Sequence, residues 1–353
     1  MKITIKIAIF LIGIILCACT AEKKSDFLQH VTLLHGKAVN VDCLIGQPYE
    51  IVCIDTLLIF SDFYDHQTIT MLDVRNDRFL GRFLPVGNGP GEVILPVRLF
   101  EASEKELGVF MPQWGCFYLL ELPGMELREK IFFEDRPVTV KKTKDYYVGT
   151  GTFRPNGTNP SSQSDTDDRP DGRYHLYDSS GKLMHEAGEY PFIGKDDRME
   201  TGRKFALYQG YLCANPGSNF FAHGSEFCDN LEFFMTQKEQ SRLLKKYETY
   251  DTTVEFREQR LTITDNTVKS YAWAYGTEQY CYFLYCGSTQ AESIGKKLFK
   301  NHVIVFDWSG NHVKTFETDM NIQTFCIDEV NHVMYGFVTV EDEFVLMRFP
   351  FEI

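Results

Sequence analysis

Val305-Phe306-Asp307-Trp308-Ser309-Gly310 reads as an apolar pair, an acidic residue and a turn with Gly, and that order recurs along the chain. It returns as Met71-Leu72-Asp73-Val74-Arg75-Asn76, as Leu119-Leu120-Glu121-Leu122-Pro123-Gly124 and as Leu176-Tyr177-Asp178-Ser179-Ser180-Gly181, with Phe233-Phe234-Met235-Thr236 as a degenerate copy. Positions 73, 121, 178, 235 and 307 stand 48, 57, 57 and 72 residues apart. Each interval holds one four-stranded unit and its loops.

Short strand pairs precede the copies, as in Glu50 to Asp55 then Leu57 to Asp62, and Val97 to Ala102 then Leu107 to Pro112. Alternation, β-branched and aromatic residues, and bounding Asp, Gly, Asn or Pro mark them as strands. Gln237 to Tyr250 fits either a helix or a hairpin. Taking 1–18 off the 353 residues leaves 335, or six units of about fifty after a tether, the pattern of a propeller of four-stranded blades. The reading predicts an all-β, six-bladed β-propeller of antiparallel blades over 44–92, 93–136, 137–191, 203–251, 266–318 and 319–353. The last blade ends after its third strand, Phe344 to Phe349. Val31 to Val41 is the natural donor of the missing outer strand, closing the ring and removing two open edges.

Composition agrees. Hydrophobic residues make up 44% and aromatics 14%, with 29 Phe and 18 Tyr, enough apolar surface to offset chain entropy. The net charge is −13; with Lys2 and Lys6 removed from the 36 basic residues, 34 face 49 acidic ones. That balance repels a phosphate backbone and excludes generic nucleic-acid binding.

Residues 1–19, MKITIKIAIFLIGIILCAC, have a basic start, an apolar run from Ile7 to Leu16 and small residues after it. This is a secretory signal pattern, too short to span a bilayer. Leu16-Cys17-Ala18-Cys19 resembles the bacterial lipobox, which implies a signal peptide at 1–18, lipidation of Cys19, a tether over 19–30 and a propeller over 31–353. Acyl chains on Cys19 would anchor the domain to a lipid bilayer. The body's eight cysteines, at 43, 53, 116, 213, 228, 281, 286 and 326, mostly sit in apolar stretches, and they are expected as buried free thiols.

Gly87-Asn88-Gly89-Pro90-Gly91-Glu92, followed by an apolar strand at Val93, resembles the GxGPGE signature of TolB-like six-bladed β-propeller lipoproteins of Gram-negative envelopes. The motif occurs once; 134–137, 190–203 and 318–321 lack it. The resemblance implies a fold and an outer-membrane location, on the periplasmic or the outer side, but no reaction. The loop lacks the Lys-Ser/Thr of a phosphate cradle. Its glycines are expected to supply positive φ, and Glu92 to cap loop amides.

Catalytic signals are weak. The chain has no G-x-S-x-G elbow and no HExxH, and no Cys/His grouping has zinc spacing. In Gly151 to Arg173, Asp165, Asp167, Asp168 and Asp171 invite calcium, yet Arg169 and Pro170 break the required spacing, so the stretch reads as a loop and no cofactor is expected. Propellers bind at a channel mouth. The loops between second and third strands, with the inter-blade passages, supply Tyr64, His66, Glu92, Arg98, Trp114, Arg154 and His223 as candidate binding residues. The aromatic and Arg mixture suits a glycan, a peptide or an envelope protein. The expectation is a non-catalytic binding propeller. Its rivals are a metal-dependent lyase or lactonase-type enzyme and a structural subunit of an envelope complex.

Overall fold

A computed structural model describes residues 27–64, 66–151, 172–190, 201–238, 240–248, 255–257, 260–295 and 300–353. Six antiparallel sheets form its blades. Their innermost strands are Pro48–Ile54, Arg98–Ser103, Thr139–Lys142, Gly210–Ala214, Val268–Gly276 and Ile322–Asp328. Each successive strand pairs outward, so that blade 1 runs through Leu57–Tyr64 and Gln67–Asp73 to Arg78–Pro85. Aromatic and aliphatic side chains fill the spaces between neighbouring blades: Phe60 of blade 1 meets Phe337 of blade 6 at 4.9 Å between ring centroids.

The repeated acidic residue has a local cause. Asp307 accepts the N–H groups of Ser309 (2.9 Å) and Asn311 (2.8 Å), and Asp178 accepts those of Ser180 (2.8 Å) and Lys182 (3.1 Å). Asp73 does the same for Arg75 at 3.0 Å. Each carboxylate satisfies the amides of the turn between third and fourth strands. In blade 4 this turn follows Gln237, two residues beyond the position expected from the degenerate copy. Gln240–Glu248 is a strand paired with Asn230–Gln237, so the hairpin alternative is the one realised.

Ring closure uses less of the N-terminal segment than Val31 to Val41. Lys37 and Ala38 pair with Arg348 and Met347 as the fourth strand of blade 6, and Val39 donates its N–H to Leu346 O at 2.9 Å. Val31–Leu34 instead runs parallel to His312–Thr318 as a fifth strand on blade 5. Gly36 marks the break: a Cβ there would stand 2.6 Å from the Phe349 ring. Asp319 accepts the Gly36 N–H at 3.2 Å.

Candidate functional site

Three cavities lie where innermost strands from several blades face one another, which places them along the propeller axis. Near the strand starts, about 40 Å³ is lined by Glu50, Arg98, Lys141, Tyr211 and Trp273 among others. Midway, a second space of about 40 Å³ touches Val52, Phe100, Lys142, Cys213 and Tyr275. At the strand ends the channel widens into a mouth of about 340 Å³, bordered by the first hairpin turns of blades 1, 5 and 6.

Glu50 governs the narrow part. It is 3% exposed, accepts from Arg98 Nη1 at 2.9 Å and lies 3.7 Å from Lys141 Nζ. Lys141 also donates to Leu99 O at 2.9 Å. Burial opposes charge on Arg98, but Glu50 overrides it and raises the guanidinium's pKa; for Lys141, burial prevails and lowers the pKa despite Glu50. These three strands are thereby tied by charge at the channel wall.

Tyr275 separates the narrow channel from the wide mouth. Its side chain borders both spaces, and its Oη accepts the Cys53 N–H at 3.2 Å. Beyond it the mouth is lined by Asp55, Glu101, Glu278, Asp328 and Glu329, with Pro216, Ile327 and Val330 as apolar neighbours and, among the described residues, no basic side chain. Burial, with Glu278 and Glu104 adding repulsion that nearby Lys142 only partly offsets, pushes Glu101 up to about 7. Burial also raises Glu329, which accepts from Thr277 Oγ1 at 2.8 Å. Asp328 is held by Asn331 through its backbone N–H (3.0 Å) and Nδ2 (2.7 Å). Among the described residues, no three His, Cys, Asp or Glu side chains gather closely enough to hold a metal ion.

The residues expected at the opposite mouth are dispersed. Arg98 lies in the channel. Tyr64 is exposed and stacked under Arg82, 4.6 Å from its ring centroid. His66 is exposed at φ 61°, and Trp114 packs on the core between blades 1 and 2 with Lys130 Nζ 4.9 Å above its ring. Glu92 turns into its own loop, where Oε2 accepts the Gly89 N–H at 2.6 Å. Gly91 alone among that loop's glycines has positive φ; Gly87 is needed for space, since a Cβ there would stand 2.0 Å from Glu92 Oε2.

His223 is 2% exposed and sealed beside Arg173. Arg173 donates to Asn230 Oδ1 (2.9 Å), Glu232 Oε2 (2.5 Å), Tyr208 O (3.1 Å) and Ser225 Oγ (2.8 Å), and its Nη2 lies 3.0 Å from His223 Nδ1. The group joins blades 3 and 4 internally. Arg154 and the four aspartates of the calcium alternative, with Cys19 and the tether before Phe27, lie outside the described residues.

The acidic mouth went unseen in the sequence because its carboxylates come from four blades. The available signal was an acidic residue at the first hairpin turn of three of them: Asp55, Glu278 and Glu329.

Comparisons with known proteins agree on the architecture. A sequence model of the family described as TolB-like 6-blade propeller-like matches residues 162–330. No curated protein matches the chain. Among solved structures, a Bacteroides fragilis NCTC 9343 protein named as exported superposes with a TM-score of 0.57 at 11% identity, over 90% of this chain and 94% of its own. A DUF4221 family member from Bacteroides vulgatus ATCC 8482 gives 0.53 at 10% identity over 91% and 97%. U3-55K gives 0.50 at 8% over 90% and 98%. At such identities the likeness is one of fold.

Proposed function

We propose that this TolB-like six-bladed propeller is a non-catalytic binding module of the cell envelope, and that its wide acidic mouth takes a cationic ligand, such as the amino or guanidinium groups of a basic peptide. The observation that carries this reading is the cavity of about 340 Å³, with five carboxylates and, among the described residues, no cation in its lining. A concave site with a few convergent polar groups over apolar walls is the usual form of a ligand pocket. Two of the carboxylates, Glu101 and Glu329, are held above their ordinary pKa by burial, and a bound cation would relieve that cost.

Calorimetric titration with tri-lysine, and with its acetylated form as a neutral control, tests the reading. Binding of tri-lysine that weakens at least tenfold in Glu101→Gln/Glu278→Gln and falls with salt is the expected result. Absence of heat, or equal binding of both peptides, overturns it.

Envelope location and anchoring belong to the same reading. The support is the signal segment, the lipobox ending at Cys19 and the short distance from there to Phe27. Eight residues extend at most about 28 Å, so an acylated Cys19 would hold the rim of blades 4 and 5 close to the bilayer. Membrane fractionation of Cys19→Ala checks this: release into the soluble fraction is expected, and retention counts against lipidation.

A further inference from the structure

Four cysteines meet in two pairs across blade boundaries, and only one of the pairs opens onto solvent. Cys53 and Cys326 occupy the innermost strands of blades 1 and 6, where the ring closes. Both side chains belong to the apolar cluster that fills this seam, near enough for the two thiols to interact. Cys213 and Cys281 stand in the equivalent relation between blades 4 and 5. Neither pair is joined.

Access distinguishes them. Cys53 is 8% exposed and lines the wide channel mouth, whereas Cys281 is fully buried and Cys213, 2% exposed, borders only the narrow space of about 40 Å³ on the other side of Tyr275. A small disulfide entering the mouth can reach Cys53, whereas Cys326, fully buried in the same cluster, does not border that space.

We propose that Cys53 and Cys326 are a redox-active pair that closes an inter-blade disulfide across the ring seam. The reaction is thiol–disulfide exchange with an external disulfide, from a small molecule or a protein oxidant. The Cys53 thiolate attacks one sulfur of that disulfide, forming a mixed disulfide and expelling the first thiol. Cys326 then attacks the Cys53 sulfur and expels the second. Two protein S–H bonds are lost and one S–S bond forms, while the oxidant is reduced to two thiols. Burial holds the Cys326 thiol well above its ordinary pKa, which lowers its thiolate population, so the second step depends on its proximity to the Cys53 sulfur.

The bridge would fasten together the first and last blades, whose joint otherwise depends on the two paired residues of Lys37–Ala38 and on side-chain packing. A cross-link between residues so distant in sequence restricts the unfolded chain strongly.

Treatment of the folded full chain with bis(2-hydroxyethyl) disulfide, then denaturing alkylation and peptide mapping, tests the assignment. The oxidant is uncharged, so the result is independent of whether the acidic mouth binds cations. The expected product links the Cys53 peptide to the Cys326 peptide and melts about 5 °C higher than the reduced protein. Cys326→Ala should instead trap the mixed disulfide on Cys53, and Cys213→Ala should leave the Cys53–Cys326 link intact. Recovery of Cys53 and Cys326 as alkylated thiols in the wild-type chain, or a link from either to another cysteine, overturns the proposal whether or not the variants fold.

Discussion

Tyr275 of blade 5 spans the channel to Cys53 of blade 1, its Oη accepting the Cys53 N–H at 3.2 Å and lying 3.4 Å from the Cys53 carbonyl. An innermost strand has no neighbour on its channel side, so half of its backbone groups need partners from elsewhere. One phenol serves both groups of residue 53 and closes the channel beneath the acidic mouth. Across the axis it also bypasses blade 6, coupling two blades that share no boundary.

Tyr275→Phe keeps the ring's shape and removes only that partnership. Leaving the buried Cys53 amide unpaired should cost about 1–3 kcal/mol. Denaturant unfolding checks this, and a loss near zero would mean that water replaces the phenol.

The network around Arg173 predicts a larger effect. Arg173 and Glu232 have side chains only 2% and 4% exposed, so removing the guanidinium leaves the buried carboxylate with only the Tyr174 hydroxyl at 2.7 Å and the more distant Lys246 Nζ at 3.6 Å. Arg173→Met should destabilise the fold by about 3–5 kcal/mol. Arg173→Lys should recover little of it, because one ammonium cannot reproduce a planar donor shared among five partners. Thermal unfolding of the two variants separates loss of charge from loss of geometry.

Two titrations oppose each other in the pH profile. Glu101 has a folded pKa pushed up to about 7 from an ordinary 4.5, so the native state holds its proton longer than the unfolded chain. Stability should therefore fall as pH rises between about 4.5 and 7, and Glu101→Gln should flatten that slope and gain about 2 kcal/mol at pH 8. His223 works in reverse: burial, and then Arg173, hold it well below 6.5. The unfolded chain takes up a proton there that the native chain refuses, so this contribution is lost as pH falls below about 6.5. Unfolding free energies of wild type, Glu101→Gln and His223→Gln from pH 4 to 8 resolve the two slopes.

What could be read from the sequence follows from how local each signal is. The Asp73, Asp178 and Asp307 turns hydrogen-bond within four residues, so their motif survives as a visible repeat and reveals the blades. The N-terminal join is different. Val31–Leu34 and Lys37–Ala38 read as one strand, and only the Phe349 ring packed over Gly36, more than three hundred residues away in the chain, divides them between two blades. The same holds for function. Tyr64 and Trp114 look like binding aromatics in isolation, yet Arg82 and Lys130 already stack on their rings, whereas Glu101 looks like an ordinary surface residue until the ring brings Glu278 beside it.

Glu92 offers a test of the sole GxGPGE segment. Its carboxylate accepts the Gly89 N–H at 2.6 Å and fills the space over Gly87. Glu92→Gln keeps an acceptor but loses the charge, and should cost about 1 kcal/mol. Gly87→Ala should cost more, because its Cβ displaces the carboxylate from the loop. An unchanged melting point in Glu92→Gln would remove the capping role.

Phe27 begins the described chain and is 2% exposed at the outer rim of blades 4 and 5. Its ring stands edge-on to Tyr247 (5.2 Å) and Phe306 (5.3 Å) and stacks on His312 (4.8 Å). From there Val31–Leu34 follows blade 5 until Lys37–Ala38 closes blade 6, so Phe27 pins the free end of the segment on which closure depends. Phe27→Ala should cost about 3–5 kcal/mol through the cavity it leaves. It should also expose Leu28 to Leu33 to limited proteolysis before the blades themselves are cut, because Val31 to Leu33 are exposed and then keep only their pairing with blade 5, whereas Leu34 stays buried. Cleavage within the blades first would show that the ring opens as one unit and that Phe27 stabilises the whole domain rather than its fastening.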